Sequence, residues 1–261
     1  MNPTLSIVTI NFNNAAGLKK TIESVLQQSV RPLEFIIVDG GSTDGSLEII
    51  RQHLENLTWT SEPDNGIYHA QNKGLTKAKG DYILFLNSGD ELAGPDILNR
   101  VLPDLDGTDI IYGDILIIEP AKEWVKKYNE PLSFGYFLGD TLPHQASFIK
   151  RTLFNKTGNF DESLKICSDW KFFIEAVCRH NVSLRYLDFV IARYDFSGIS
   201  SNHESRDKMR SEKQMILQKE FPRFQKEYEE LFQLRSRYPL LANSRGVKLY
   251  FKIRNLFIHN N

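Results

Sequence analysis

An α/β fold, with a mostly parallel central sheet flanked by helices, is predicted by three features of the 261-residue chain. A short, nearly all-apolar run at residues 82–86 and apolar-rich runs at 5–10 and 35–38 suit strands of a covered sheet. Segments with apolar residues at helical spacing alternate with these runs, as repeated βα units require. Each run also stops abruptly in a polar turn, and right-handed crossovers bring such turns to one edge of the sheet, where open α/β folds bind ligands.

Taken in order, residues 5–10 form the first expected strand, and Asn11-Phe12-Asn13-Asn14 after it offers turn formers and a helix cap. Leu18, Ile22, Val25 and Leu26 carry a helix that Ser29 and Pro32 close. Residues 35–38 form a second strand, followed by Asp39-Gly40-Gly41-Ser42-Thr43-Asp44-Gly45 and a helix on Leu47, Ile49, Ile50 and Leu54. A third strand is expected at 57–60 and a further helix at 70–78. The strand at 82–86 then delivers Asn87-Ser88-Gly89-Asp90-Glu91 into a turn, an acidic pair placed to hold a metal ion against a phosphate. Residues 109–118 read as another strand, with a bulge at Gly113.

Composition narrows the function. A net charge of −1 disfavours a protein that lives by gripping a nucleic-acid backbone, so no nucleic-acid partner is expected. No run approaches the ~18 apolar residues of a membrane span. Met1-Asn2-Pro3-Thr4 shows neither a basic region nor an apolar core of a secretory signal, so a cytoplasmic location is expected. Cys167 and Cys178 fit a reducing compartment and lack zinc-site spacing.

The glycine-rich turn at 39–45 matches neither the dinucleotide fingerprint nor the Walker pattern. Asp44-Gly45 reads first as a helix-cap turn, whereas Asp39 at a strand end reads equally as a structural acceptor or as a partner for a base or ribose.

Several motifs in order carry a more specific resemblance: Thr9-Ile10-Asn11-Phe12-Asn13, Val38-Asp39-Gly40-Gly41-Ser42, then Asn65-Gly66, Ala70, Asn72, Gly74, Gly80 and the Leu86-Asn87-Ser88-Gly89-Asp90 turn. Over residues 5–196 the chain resembles the family-2 inverting glycosyltransferases of bacterial polysaccharide biosynthesis. That resemblance implies a GT-A-like fold and transfer of a sugar from a nucleotide-diphosphate sugar to a saccharide hydroxyl. A UDP-sugar is the favoured donor and a GDP-sugar the alternative. It also implies a catalytic domain at 1–203, divided into a nucleotide-binding half (1–92) and an acceptor half (93–203), with a C-terminal helical extension at 204–261.

Matched position by position, the resemblance assigns the nucleotide to Asn11, Asn13, Asp39, Asp64, Asn65, Asn72, Lys73 and Ser88. The acidic metal motif falls on residues 87–90, where Asn87 and Gly89 replace residues that are often acidic. Asp90 is left as the carboxylate for Mg²⁺ or Mn²⁺, and His203 is a candidate to complete the metal shell. His144 and Gln145, in Leu142-Pro143-His144-Gln145, match positions for donor, acceptor or diphosphate, and Trp170 is grouped with them.

Ser168-Asp169-Trp170 opens a segment in which Trp170, Phe173, Ile174 and Val177 form an apolar helical stripe, with Ser168 as the expected cap. The bland reading of Asp169 is an ordinary acidic first-turn residue. The resemblance instead makes it the general base. Tyr112 and Asp114 are open between the sugar site and the polar face of a strand. The aromatic stretch Trp124, Tyr128, Phe134, Tyr136 and Phe137 is read as packing before sugar stacking.

The Gly- and Ser-rich segment at 193–203 has the composition of a loop that closes over bound donor. From residue 204 the chain turns into charged helix. Residues 231–261 carry Arg235, Arg237, Arg245, Lys248, Lys252 and Arg254 with no acidic residue. Such a basic amphipathic tail suits the inner face of a cytoplasmic membrane, where a lipid-linked saccharide acceptor would be met, and equally suits docking on the catalytic domain or a second copy of the chain. Two rival functions stand beside transfer: a non-catalytic sugar-nucleotide-binding or scaffold protein, suggested by the thinned acidic motif, and a sugar nucleotidyltransferase, disfavoured by the lack of a triphosphate loop.

Overall fold

The computed structural model describes residues 3–119, 121–195, 203–224, 226–227, 230 and 233. The chain forms two compact units, Met1–Glu212 and Lys213–Asn261. In the first, the elements run β1 (Leu5–Asn11), α1 (Ala15–Leu26), β2 (Glu34–Asp39), α2 (Ser46–Arg51), β3 (Thr58–Ser61), α3 (Ile67–Lys77), β4 (Tyr82–Phe85), β5 (Glu91–Leu92) and α4 (Ile97–Val101). They continue with β6 (Ile110–Glu119), β7 (Lys122–Lys126), α5 (Phe134–Gly139), β8 (Ser147–Lys150), α6 (Phe154–Thr157), α7 (Ser168–Cys178) and β9 (Leu184–Asp195). Helix α8 (His203–Glu220) starts in this unit and ends in the second.

Among the described residues, nine strands form one sheet in the order β3-β2-β1-β4-β8-β6-β9-β5, with β7 paired to β6. The strands β3, β2, β1 and β4 are mutually parallel, β8 is antiparallel to β4 and β6, and β6 runs parallel to β9. The mostly parallel α/β architecture expected from the alternating runs is therefore present. All seven residues of β1 and all four of β4 are buried, as strands covered on both faces must be. A Cβ on Gly74 would lie 2.3 Å from Val8 Cγ1, so glycine in α3 lets that helix sit directly on β1. The expected bulge occurs as a register shift in the β6–β9 pairing at Gly113 and Asp114.

Some boundaries differ from expectation. Helix α2 ends at Arg51, leaving Leu54 about half exposed rather than on a buried face. Ser168 does not cap α7: the cap position is Cys167, and the Ser168 hydroxyl accepts from the backbone N–H of Asp161 instead. Tyr112 and Asp114 are buried, and Asp114 accepts from the Tyr128 N–H and the Tyr186 hydroxyl, the work of a strand residue.

The site is positioned by two devices. Parallel pairing brings the carboxyl ends of β1, β2 and β4 to one edge, with Asn11 opposite Asp39 in register. A cluster of Phe85, Phe154, Phe160 and Phe172, with ring centroids 4.8–6.3 Å apart, ties β4 to α6 and α7. Each such pair contributes ~0.5–1.5 kcal/mol beyond the burial of its area. Helix α7 is thereby fixed against the strand that leads into Asn87.

Candidate active site

A cavity of about 450 Å³ opens at this edge. Of the residues singled out from sequence, Asn11, Asp64, Ser88, Asp90, His144 and Asp169 line it. The end of β1 supplies Asn11, its last residue, and the turn after β4 supplies Ser88 and Asp90. The 3₁₀ turn at His144–Ala146 supplies His144, and the first turn of α7 supplies Asp169.

Asp169 is held from three sides in the wall. Its Oδ1 accepts the Trp170 N–H at 2.8 Å and stands 3.1 Å from the Tyr68 hydroxyl, which also lies against the Ile166 carbonyl. Its Oδ2 lies 3.4 Å from His144 Nδ1, with both side chains 19% exposed. Burial pushes the Asp169 carboxyl up, but His144, the Trp170 N–H and the Tyr68 hydroxyl outweigh it and hold the group below the ordinary carboxylate value. The same pair acts on the imidazole in the other direction. Burial lowers the His144 pKa, yet Asp169 and, more weakly, Asp90 raise it above its usual value. On the far side of the ring, His144 Nε2 lies 3.1 Å from Asn87 Nδ2.

Asp90 is only 6% exposed, and burial pushes its carboxyl up to about 7, with Asp195 adding to the shift and His144 opposing it. The wall carries Asp64, Asp90, Asp169 and Asp195 against Lys165 and His144, an acidic surround for any diphosphate. That donor set fits a hard cation held by one or two protein carboxylates and completed by phosphate and water. Among the described residues no group of three or more His, Cys, Asp or Glu side chains gathers as a ready cage. His203 begins α8, and its side chain lies outside the described residues, as do residues 196–202 of the expected closing loop and almost all of the basic tail.

The remaining sequence candidates whose side chains are described do not line the cavity. Asp39 is fully buried and accepts from Asn11 Nδ2, the Ser42 and Ser61 hydroxyls and the N–H groups of Gly41 and Ser42. Burial raises its pKa, but these donors prevail and hold it low. Asn13 adopts a left-handed backbone (φ 49°) and its side chain accepts from the Thr43 N–H. Asn72 bonds the Phe160 backbone and Glu162, while Lys73 pairs with Glu62. The Asn65 N–H donates to His69, Gln145 is buried, and Trp170, 2% exposed, donates its indole N–H to the Phe137 carbonyl. Asp44 accepts from the Ala15 N–H and from Ser46, the cap turn expected of it.

Sequence reasoning passed over Phe12, Tyr68, Gln71 and Asp195, which also line the cavity. Phe12 is 64% exposed at the same edge, beside Gly40, where an added Cβ would lie 2.6 Å from Asp64 Oδ2 and 3.1 Å from the Phe12 ring. Nothing in the sequence marked Phe12, because its exposure at this edge appears only in the fold.

The family description "Glycosyl transferase family 2" matches residues 6–168. An uncharacterized glycosyltransferase of Mycobacterium tuberculosis is 34% identical over 215 residues, covering 77% of this chain and 79% of the relative. A PGL/p-HBAD biosynthesis glycosyltransferase of Mycobacterium bovis is 31% identical over 208 residues, covering 76% and 80%. Among solved structures, S. aureus TarS 1–349 in complex with UDP-GlcNAc superposes with a TM-score of 0.63 at 18% identity, over 82% of this chain and 66% of that one. The mannosyltransferase PcManGT of Pyrobaculum calidifontis, in complex with GDP-Man and Mn²⁺, gives 0.60 at 18% identity over 80% and 61%. The GT-A-like fold expected from the ordered motifs is the fold these neighbours share.

Proposed function

The chain belongs to glycosyl transferase family 2, and from that membership we propose an inverting transfer of one sugar from a nucleotide-diphosphate donor to a saccharide hydroxyl, with Asp169 as general base. The observation that carries the proposal is the Asp169 carboxylate itself. It lies in the cavity wall at the positive end of α7, is held ionised, and its side chain is 19% exposed. In the transfer, Asp169 takes the proton of the acceptor hydroxyl as that oxygen bonds to the anomeric carbon. The bond from carbon to diphosphate oxygen breaks on the opposite face, and the nucleoside diphosphate leaves.

The nucleotide end is assigned to the β1 and β2 edge. Asn11 Oδ1 is buried without a hydrogen-bond partner among the described residues, an acceptor suited to a base N–H, and Phe12 offers a ring face for stacking. TarS and PcManGT carry UDP-GlcNAc and GDP-Man in their solved complexes, which supports a UDP- or GDP-sugar here. Asp90, with Asp195 beside it, would hold Mg²⁺ or Mn²⁺, and His203 remains a candidate for the shell. Such an ion supplies Lewis-acid neutralisation of charge on the departing diphosphate. A lipid-linked acceptor, met at the inner face of the cytoplasmic membrane, would match the basic, apolar-interleaved sequence of residues 231–261. Contact with that membrane would be peripheral and made by the C-terminal residues, which alternatively join two copies of the chain; among the described residues no helix is long and apolar enough to cross a membrane.

The test is Asp169→Asn. Transfer from the donor found by screening nucleotide sugars is expected to fall by roughly 10² to 10⁴ with nucleotide binding retained. Transfer at the wild-type rate would remove Asp169 from the role.

A further inference from the structure

Three side chains stand in line behind Asp169. Gln71 Nε2 lies 3.4 Å from Asn87 Oδ1, Asn87 Nδ2 lies 3.1 Å from His144 Nε2, and His144 Nδ1 lies 3.4 Å from Asp169 Oδ2. An amide has one accepting end and one donating end, so engaging the Asn87 oxygen with Gln71 turns the Asn87 nitrogen toward the imidazole. A ring nitrogen that faces a donor must carry a lone pair. In the neutral ring the proton therefore sits on Nδ1, facing the Asp169 carboxylate. The donors run one way, from Gln71 through Asn87 and His144 to Asp169. The other end of Gln71, Oε1, is buried with no partner among the described residues.

We propose that Asn87 is a positioning residue that selects the Nδ1–H tautomer of His144, so that a donor and not a lone pair faces the base. The inference rests on the reading of Asp169 as that base. It gives Asn87 a function of its own, distinct from that of a lapsed cation ligand. A lone pair on Nδ1 would repel the Asp169 carboxylate, weaken its ionised form and release Oδ2 from its place. An aspartate at 87 cannot donate. It would draw the ring proton to Nε2 or hold the ring as imidazolium.

Substituting Asn87→Asp changes the shape of the side chain little, which separates this role from simple packing. The direct readout is the ¹⁵N spectrum of His144 in the unliganded protein, at pH values where the ring is neutral. Wild type is expected to show a protonated Nδ1 and a bare Nε2, Asn87→Asp a protonated Nε2, and Gln71→Leu a mixture of the two. Release of UDP from UDP-N-acetylglucosamine is the second readout, with kcat in Asn87→Asp expected to fall roughly 10- to 100-fold at little-changed KM. A bare Nδ1 in the wild-type protein would overturn the proposal. So would an Asn87→Asp enzyme as fast as wild type, the result expected if position 87 served only a cation. The tautomer is read without turnover, so it stands or falls separately from Asp169: full activity in Asp169→Asn with the expected spectra would remove the base and leave the tautomer assignment intact.

Discussion

Glu212 Oε2 accepts the backbone N–H of Cys167 at 3.0 Å, two residues before Asp169. The same carboxylate accepts the N–H groups of Lys165 and Ile166, so a residue of α8 closes three consecutive orphan donors in the loop that enters α7. Charge-assisted bonds of this kind contribute ~1.5–3 kcal/mol each when a buried donor would otherwise be stranded, and less at a part-exposed site. Glu212→Ala is expected to lower the unfolding free energy by about 2 kcal/mol and to lower kcat more than it raises the KM for donor. Urea unfolding and initial rates decide the matter. A loss confined to KM would mean that the loop does not set the position of Asp169.

Asp39 makes a comparable claim on stability. It is fully buried and takes five hydrogen bonds, so an uncharged substitute strands donors from three segments. Asp39→Ala is expected to cost about 3 kcal/mol, the order of a disrupted buried network. Its folded pKa lies below the ordinary 3.8, so its contribution is complete above that value and is lost as pH falls through the lower folded pKa. The gap between wild type and variant in urea unfolding should therefore narrow on acidification below about pH 4. A gap that widens instead would show that the group is not held ionised.

The contrast between Asp44 and Asp39 explains what could be read from sequence. Asp44 caps a turn through Ser46, two residues away, and such local chemistry is visible in the order of residues. The partners of Asp39 come from β1, its own turn and the end of β3, which only pairing in the sheet brings together. Likewise, residues of type Asp and His were visible at 169 and 144, but their approach depends on α7 being fixed against β4 by the phenylalanine cluster. Strand β5 has two residues and β7 is almost wholly exposed, so neither leaves a periodic apolar signal. Glu212 looked like any other acid of a charged helix.

Phe12 leads to a sharper test of the nucleotide end. Its ring is 64% exposed at the rim, so removing it strands nothing in the core. Stacking of a base on an aromatic face is worth ~1–3 kcal/mol. Phe12→Ala is expected to weaken UDP binding roughly tenfold in calorimetric titration, at unchanged unfolding free energy. Equal affinity in the two proteins would place the base elsewhere.

Asp90 links the cation to pH. Its folded pKa of about 7 stands above the ordinary 3.8, with burial as the main cause. Between these values the folded protein keeps a proton that the unfolded chain gives up, so the group's contribution to stability falls as pH rises from about 4 to 7 and is level above that. At pH 8 the ionised, buried carboxylate costs about 4 kcal/mol relative to acid conditions, and at pH 5 it costs less than half of that. Asp90→Asn removes the titration. In urea with EDTA, the variant's advantage over wild type is expected to grow by about 2–3 kcal/mol from pH 5 to pH 8. A cation that binds the ionised carboxylate reverses the cost, so Mn²⁺ should raise the Tm of wild type more at pH 8 than at pH 5 and leave Asp90→Asn unmoved. Parallel pH profiles for the two proteins would show that Asp90 does not titrate there. An equal Mn²⁺ response would show that the cation sits on other residues.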